Sequence, residues 1–380
     1  MNILIVVDSF KGSISSFKGV NLVEEGILRA NKDFKKDITI WKVPISDGGE
    51  GIADVLLYSL GGEKIYTTVC DPLLRPINSY LAVLKDGTAV VETALVSGLE
   101  LLKGDERNPM LTSTYGVGQL ISKALDVGCK KIIVGVGGSS TNDGGTGMAK
   151  ALGVKFLDRE GKDIGFGGGS LSKINKINLE GIDKRVYDTE IVVASDVTNV
   201  LYGKDGASYV YAPQKGATEE DVLELDRNLR HFGDVIRRDL NLDVNSVPGV
   251  GAGGGLGCGI YTFLKGSIKP GAELVMEFVG FREKAKQADI IITGEGRVDS
   301  QTSFGKIAYR VGKVGKEFGK TVLCVCGTLS PGYEKLYQEG INAFFSIINR
   351  PMSLGEAIQK GEVHLVEQTE NLFRLIFSII

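Results

Sequence analysis

Histidine is almost missing: the chain has two, His231 and His364, in 380 residues. That scarcity argues against a histidine-based triad and against a His-rich metal centre. The cysteines number five, an odd count, and each sits in or beside an apolar segment. No disulfide framework is expected; reduced thiols and a cytoplasmic protein are. Cys324 and Cys326 lie in "TVLCVCG", a strand pattern, where core packing explains them better than metal or redox chemistry. There is no excess of positive charge either, since the net charge is −3. Nucleic acid and anionic membrane are therefore poor partners. No apolar run approaches the roughly 18 residues of a membrane span. The start, "MNILIVVDSFKG", has a five-residue apolar run with no basic segment before it. It reads as a first strand rather than a signal peptide.

What is present suggests more than one core. At about 150 residues per domain, the length predicts two or three domains. Hydrophobic residues make up 43% and charged residues 24%, as in ordinary globular proteins. Glycine is the excess, at 52 residues, and it clusters after apolar runs. "KIIVGVGGSSTNDGGTGM", 131–148, shows the pattern: a buried strand runs into glycines, small hydroxyls and one carboxylate, Asp143.

The texture changes along the chain. "NILIVVD" predicts a strand, followed by a helix with Val20, Val23 and Ile27 on one face and Ser15 or Ser16 as cap. "YLAVLKDGTAVVET" predicts a hairpin through Asp86 and Gly87, which means antiparallel pairing. "EEDVLELDRNLRHFGDVIRR" predicts an amphipathic helix capped by Thr218. "ADIIITGEG", "TVLCVCG" and "AFFSIIN" alternate with helical segments, which is βαβ texture again. The expected fold is α/β: a discontinuous Rossmann- or flavodoxin-like parallel-sheet domain, 1–66 and 286–380, with a mixed α/β domain inserted at 67–285.

Acids recur where the strands end. Asp8 ends "ILIVVD", Asp47 and Glu50 follow "TIWKVPIS", and Asp143 follows "KIIVGVGGSSTN". Asp196 ends "IVVAS", while Glu295 and Asp299 follow "IIITG". Ligands of open α/β sheets bind outside the carboxyl ends of strands. A single Asp-Gly after a strand is more often a turn or a helix cap. Five such ends together point to a site. Glycine lets backbone N–H groups approach an anion, and a divalent cation reconciles carboxylates with phosphate. The pattern therefore suggests a nucleotide with Mg²⁺. Lys11, Lys215, Arg297 and Lys306 lie in the same kinds of loop and could meet phosphate or a carboxylate; plain solvent-facing charge is the alternative for each.

Named nucleotide motifs do not fit. "GKEFGKT", 315–321, has one residue too few between its glycines and stands before a strand rather than after one. "GVGAGG", 249–254, matches a dinucleotide fingerprint literally but lacks the preceding strand and the later acid. A close-approach loop before "LGCGIYTFL" suits it better. An NAD-dependent hydroxy-acid dehydrogenase and a cytoplasmic small-molecule binding protein are the alternative readings of the glycine loops.

Taken together, the loops resemble those of the bacterial type I glycerate kinases. The residues are "DSFKGSISS" (8–16), "SDGGEG" (46–51), "GVGGSSTNDGG" (135–145), "GFGGGSL" (165–171), "SDVTN" (195–199), "APQKGA" (212–217) and "ITGEGRVDSQTSFGK" (292–306). They stand in family order across nearly the whole chain. Ser140, Ser195, Val200 and Gly254 depart from the usual residues but leave the acids intact. The resemblance implies ATP-dependent phosphorylation of D-glycerate to 2-phosphoglycerate, with 3-phosphoglycerate as the alternative product. It also implies two α/β domains with the active site in the cleft between them. A homodimer is left open.

Within that expectation, residue type and loop position suggest roles. Asp196 is the expected base, with Asp8 and Asp47 as rivals and Lys11 as a catalytic cation. Gly137, Gly138, Ser139, Gly144, Gly253, Gly254 and Gly255 would cradle phosphates. Ser9, Gly48, Gly49, Arg297 and Lys306 would bind the substrate. Asp143, Glu295 and Asp299 would hold Mg²⁺.

Overall fold

The computed structural model describes residues 1–10, 12–46, 49, 51–300, 302 and 306–380. The chain divides into two units: Met1–Asp47 with Val275–Ile380, and Gly48–Leu274. The first unit opens with β1 (Asn2–Val7) and β2 (Thr39–Lys42). The second holds β3 (Gly62–Cys70), β4 (Pro76–Leu84), β5 (Thr88–Glu92), β6 (Lys131–Gly135), β7 (Lys155–Leu157), β8 (Lys176–Asn178), β9 (Glu190–Ala194) and β10 (Ser267–Lys269). The chain then returns to the first unit with β11 (Ile290–Val298), β12 (Thr321–Leu329) and β13 (Ala343–Ser346).

The units join in sequence earlier than the expected 67 and 286. Position 67 lies inside β3, which pairs along its whole length with β4, from Gly62 opposite Leu84 to Cys70 opposite Pro76. That strand follows its partner into the second unit. At the other join, helix Phe281–Gln287 and the residues just before it go with the first unit.

The first unit has a parallel sheet in the order β13-β12-β11-β1-β2. Strand β1 is an interior strand, with a parallel neighbour on each side. A strand covered on both faces reads as a continuous apolar run, and five of its six residues are fully enclosed. Helix Ser16–Phe34 supplies Val20, Val23 and Ile27 to this core. Its N-cap is Ser15, whose hydroxyl accepts from Lys18 N. Ser16 does other work: its hydroxyl donates to Val7 O and accepts from Ile45 N, tying the helix start to two strand ends.

The second unit has a mixed sheet in the order β10-β9-β6-β5-β4-β3. Strands β10, β9, β6 and β5 are parallel, while β4 and β3 run antiparallel. The hairpin forms as expected, with Gly87 at φ 84 and the Asp86 carboxylate accepting from Thr88 N. Helix Glu219–Leu240 is capped by Thr218 in a reciprocal box with Asp221. Its Phe232 meets Phe156 and Phe263 in the core, at ring-centroid distances of 6.0 and 6.3 Å.

Candidate active site

In the first unit the chain leaves β1 for β2 on one side and later returns to β11 on the other. The order matches the flavodoxin-type sheet, whose ligand crevice lies outside the carboxyl ends of the two strands where direction reverses. Those strands are β1 and β11, joined beyond their ladder by Asp8 N donating to Gly294 O at 2.8 Å. Expected site residues lie at these strand ends and just beyond them: Asp8 and Ser9 follow β1, Glu295 and Arg297 lie in the last part of β11, and Asp299 and Lys306 come between β11 and helix Ile307–Glu317. Ser9 N donates to the Asp8 carboxylate at 2.6 Å.

Glu295 is the most constrained of them. On a strand, residues two apart share a face, so Thr293, Glu295 and Arg297 form one row from core to solvent. Thr293 is fully buried, Glu295 is 6% exposed, and Arg297 is exposed. Oε2 of Glu295 accepts from Lys306 Nζ at 3.3 Å, and the same Nζ lies 3.9 Å from Asp299 Oδ1. Oε1 of Glu295 is buried with no partner. Burial pushes the Glu295 carboxyl up, against the pull of Lys306 and the Thr302 hydroxyl. An orphaned buried carboxylate oxygen is a place where a cation fits. No group of three acidic, Cys or His side chains converges on a metal among the described residues. Mg²⁺ does not need one: it is commonly held by one or two carboxylates, phosphate oxygens and water.

In the second unit the loop after β6 is built largely from its own hydrogen bonds. Gly138 stands at φ 68, and its carbonyl accepts from Leu99 N. Ser140 donates to Ser97 O through both its N–H and its hydroxyl. Asp143 has no exposure at all. Its carboxylate accepts from Thr114 N at 2.8 Å, Gly145 N at 3.0 Å and Gly147 N at 3.2 Å, and from the Thr114 hydroxyl at 2.9 Å. Burial pushes its pKa up, and these donors oppose the shift. Expectation and structure part here. The Asp143 oxygens are enclosed and already accept from these donors, so the carboxylate ties the loop to the start of helix Tyr115–Val127 rather than facing an open site.

The glycines of 253–255 also have a packing reason. They stand at φ 64, 69 and 87 and break the helix Ala252–Phe263 at its start. A side chain on Gly254 would sit 1.9 Å from Thr141 O, and one on Gly255 2.7 Å from the Gly144 α-carbon. Gly144 N donates to Gly254 O at 3.0 Å. Gly144 itself lies against the Phe232 ring. The two glycine segments are thus packed backbone to backbone. Gly137 and Ser139 lie in the same loop, at its β6 end.

Asp196 is exposed at the end of β9. Its Oδ2 accepts from Ala272 N at 3.0 Å, holding the start of helix Gly271–Phe278. Gly49 lies half-buried in a bend before helix Ile52–Leu60. Lys11, Asp47 and Gly48 lie outside the described residues.

One residue escaped the sequence reading, and another is placed differently from its neighbours. Glu92 ends β5 as the other acids end theirs, and the pattern could have found it. It is 4% exposed and accepts from Gly51 N at 2.7 Å and Ala53 N at 3.3 Å, at the start of helix Ile52–Leu60. Lys215, for which contact with an anion and plain solvent-facing charge were both open, is 2% exposed. Its Nζ donates to Ser139 Oγ at 2.9 Å and to Thr141 O at 2.7 Å.

The geometry defines an α/β enzyme with charged groups at strand carboxyl ends. A sequence profile of the Glycerate kinase family matches residues 3–377, and the chain belongs to that family. It is 43% identical over 373 residues to a glycerate kinase of Halalkalibacterium halodurans, covering 97% of each chain. It is 40% identical to the glycerate 2-kinase of Escherichia coli, covering 98% of this chain and 97% of that one. Among solved structures it is similar to one assigned as glycerate kinase 2 of Salmonella typhimurium. There the TM-score is 0.86 and the identity 36%, over 100% of this chain and 98% of the other. No helix among the described residues is long and apolar enough to cross a membrane.

Proposed function

We propose that the protein transfers the γ-phosphoryl group of ATP to the 2-hydroxyl of D-glycerate. Family membership over nearly the whole chain supports the reaction, and the full-length similarity to a glycerate 2-kinase supports the position of attack. The structural observation that carries the reading is the charged row at the β1/β11 switch point, with the orphaned Glu295 oxygen beside Lys306.

Phosphoryl transfer needs positioning and charge neutralisation more than covalent help. Glu295 and Asp299 would hold Mg²⁺, which when bound supplies positive charge to the phosphate chain. Lys306 and Arg297 would grip the glycerate carboxylate or the phosphoryl group in transfer. The 137–139 loop would present backbone N–H groups to phosphate. Asp196 would take the hydroxyl proton, held in place by its bond from Ala272 N, with Asp8 as the rival. Replacing Asp196 with Asn should lower kcat about 100-fold or more while the protein stays folded. Near-normal turnover would remove Asp196 from the role.

A coupled ADP-release assay with Mg-ATP and D-glycerate, read together with ³¹P NMR of the product, tests the reaction. Glycerate-dependent ADP with a 2-phosphoglycerate signal is expected. A 3-phosphoglycerate signal would reverse the substrate pose. A cytoplasmic location belongs to the same reading, supported by five free cysteines. Sedimentation of the purified protein tests for a homodimer.

A further inference from the structure

A lysine enclosed by protein normally meets a carboxylate. Lys215 does not: its two acceptors are the hydroxyl of Ser139 and the carbonyl of Thr141. Both lie in the loop that follows β6, so one side chain holds that loop at two points from inside. The turn Pro213–Lys215 that carries it is fixed in turn. Gly216 follows at φ 96, so close to Arg107 that a side chain there would come within 2.1 Å of the Arg107 carbonyl oxygen.

We propose that Lys215 is a positioning residue, whose buried head group holds Ser139 and Thr141 so that the glycine loop can receive an anionic phosphate oxygen. This rests on the reading that the loop meets phosphate. The chemistry of the head group gives the role a signature. A neutral amine has two N–H groups, and the two acceptors use both. The ammonium adds a third N–H and a full charge. The surrounding groups do little to fix that charge. Asp143 favours it, but its carboxylate is spent on Thr114, Gly145 and Gly147. Arg107, alongside Gly216, has an Nε buried without a partner. Helix Ala207–Tyr211, packed on the turn, brings only the phenols Tyr209 and Tyr211. Burial pulls Lys215 down to about 7. Near neutrality it therefore exists in both forms, and an arriving phosphate favours the ammonium. Nucleotide binding should take up protons.

Titration calorimetry of Mg-ATP at pH 8, in Hepes and in Tris, measures that uptake as a difference in apparent enthalpy between the buffers. The wild type should take up a fraction of a proton. Lys215→Met should lose the uptake and bind Mg-ATP about tenfold more weakly or worse, the loss of one charge-assisted hydrogen bond. A folded Lys215→Met that binds as tightly as wild type, with the same uptake, overturns the inference. If that variant does not fold, Ser139→Ala decides, since it removes one acceptor and leaves the lysine. Weaker binding with altered uptake supports the role, and no change in either overturns it. The two readings also separate. If Ser139→Ala weakens Mg-ATP binding and Lys215→Met does not, the phosphate loop stands and the role of Lys215 falls. If neither variant changes binding, both fall together.

Discussion

Asp143 and Glu295 are both buried acids at strand ends, and they do opposite things. Asp143 spends its oxygens on the buried backbone N–H groups of Thr114, Gly145 and Gly147. Replacing it with Ala leaves those donors enclosed, and each unsatisfied buried group costs about 1–3 kcal/mol. Asp143→Ala should therefore lose about 3 kcal/mol or more in urea unfolding, with no Mg²⁺ present. A variant as stable as wild type without metal, but defective with it, would restore the metal reading. Glu295 keeps an oxygen unspent, and its effect should appear with pH. Its carboxyl is raised above the ordinary 4.5, so the native protein holds that proton more tightly than the unfolded chain does. The resulting stabilisation is fully present below 4.5 and is lost as pH rises through the native value. Glu295→Gln should remove that decline from a series of urea midpoints, and it should also lower turnover. These two residues show how far the sequence could be read. The acid-at-strand-end pattern marks both, and Glu92 as well. What separates a cap from a ligand is whether neighbouring N–H groups turn inward, and chain order does not encode that.

At the scale of elements, local patterns were the legible part. The first helix, the Asp86-Gly87 hairpin and the Thr218 cap all follow from spacing and residue type. Packing between distant elements was not legible. Gly26 lies within helix Ser16–Phe34 and looks like an ordinary break in helix propensity. It is in fact the contact with helix Leu354–Ile379, where an added Cβ would meet Thr369 Cβ and Val366 O, both at 2.7 Å. In an open helix, Gly→Ala stabilises by up to about 1 kcal/mol. Here the clash reverses the sign. Gly26→Ala should destabilise by about 1–3 kcal/mol, the usual penalty of overpacking, measurable as a lower thermal midpoint. A raised midpoint would mean that the two helices yield readily. The glycines of 253–255 teach the same lesson. Their number suggested anion binding, and contact with 141–144 accounts for much of it.

At the scale of the whole molecule, each unit has a hydrophobic cluster of its own among the described residues, and these two share no residue. Proteins with more than one core often unfold in more than one step. The single tryptophan makes this testable, because Trp41 belongs to β2 of the first unit. Its fluorescence follows that unit, while far-ultraviolet circular dichroism follows both. The two signals should give different midpoints on heating. Asp143→Ala should lower the dichroism midpoint and leave the Trp41 transition nearly in place, since every partner of Asp143 lies in the second unit. Coincident shifts would show that the units unfold as one. Mg-ATP then becomes the informative ligand. Glu295 and Asp299 belong to the first unit, and the glycine loop after β6 belongs to the second. A ligand at 100 times its Kd stabilises whatever it binds by about 2.7 kcal/mol. If Glu295 and Asp299 take part in binding, the Trp41 transition should rise with Mg-ATP, and if the glycine loop takes part, the dichroism midpoint should rise. If only the dichroism midpoint moves, the Glu295 and Asp299 carboxylates take no part in nucleotide binding. If only the Trp41 transition and the matching part of the dichroism move, the glycine loop takes none, and its residues are there to pack the fold.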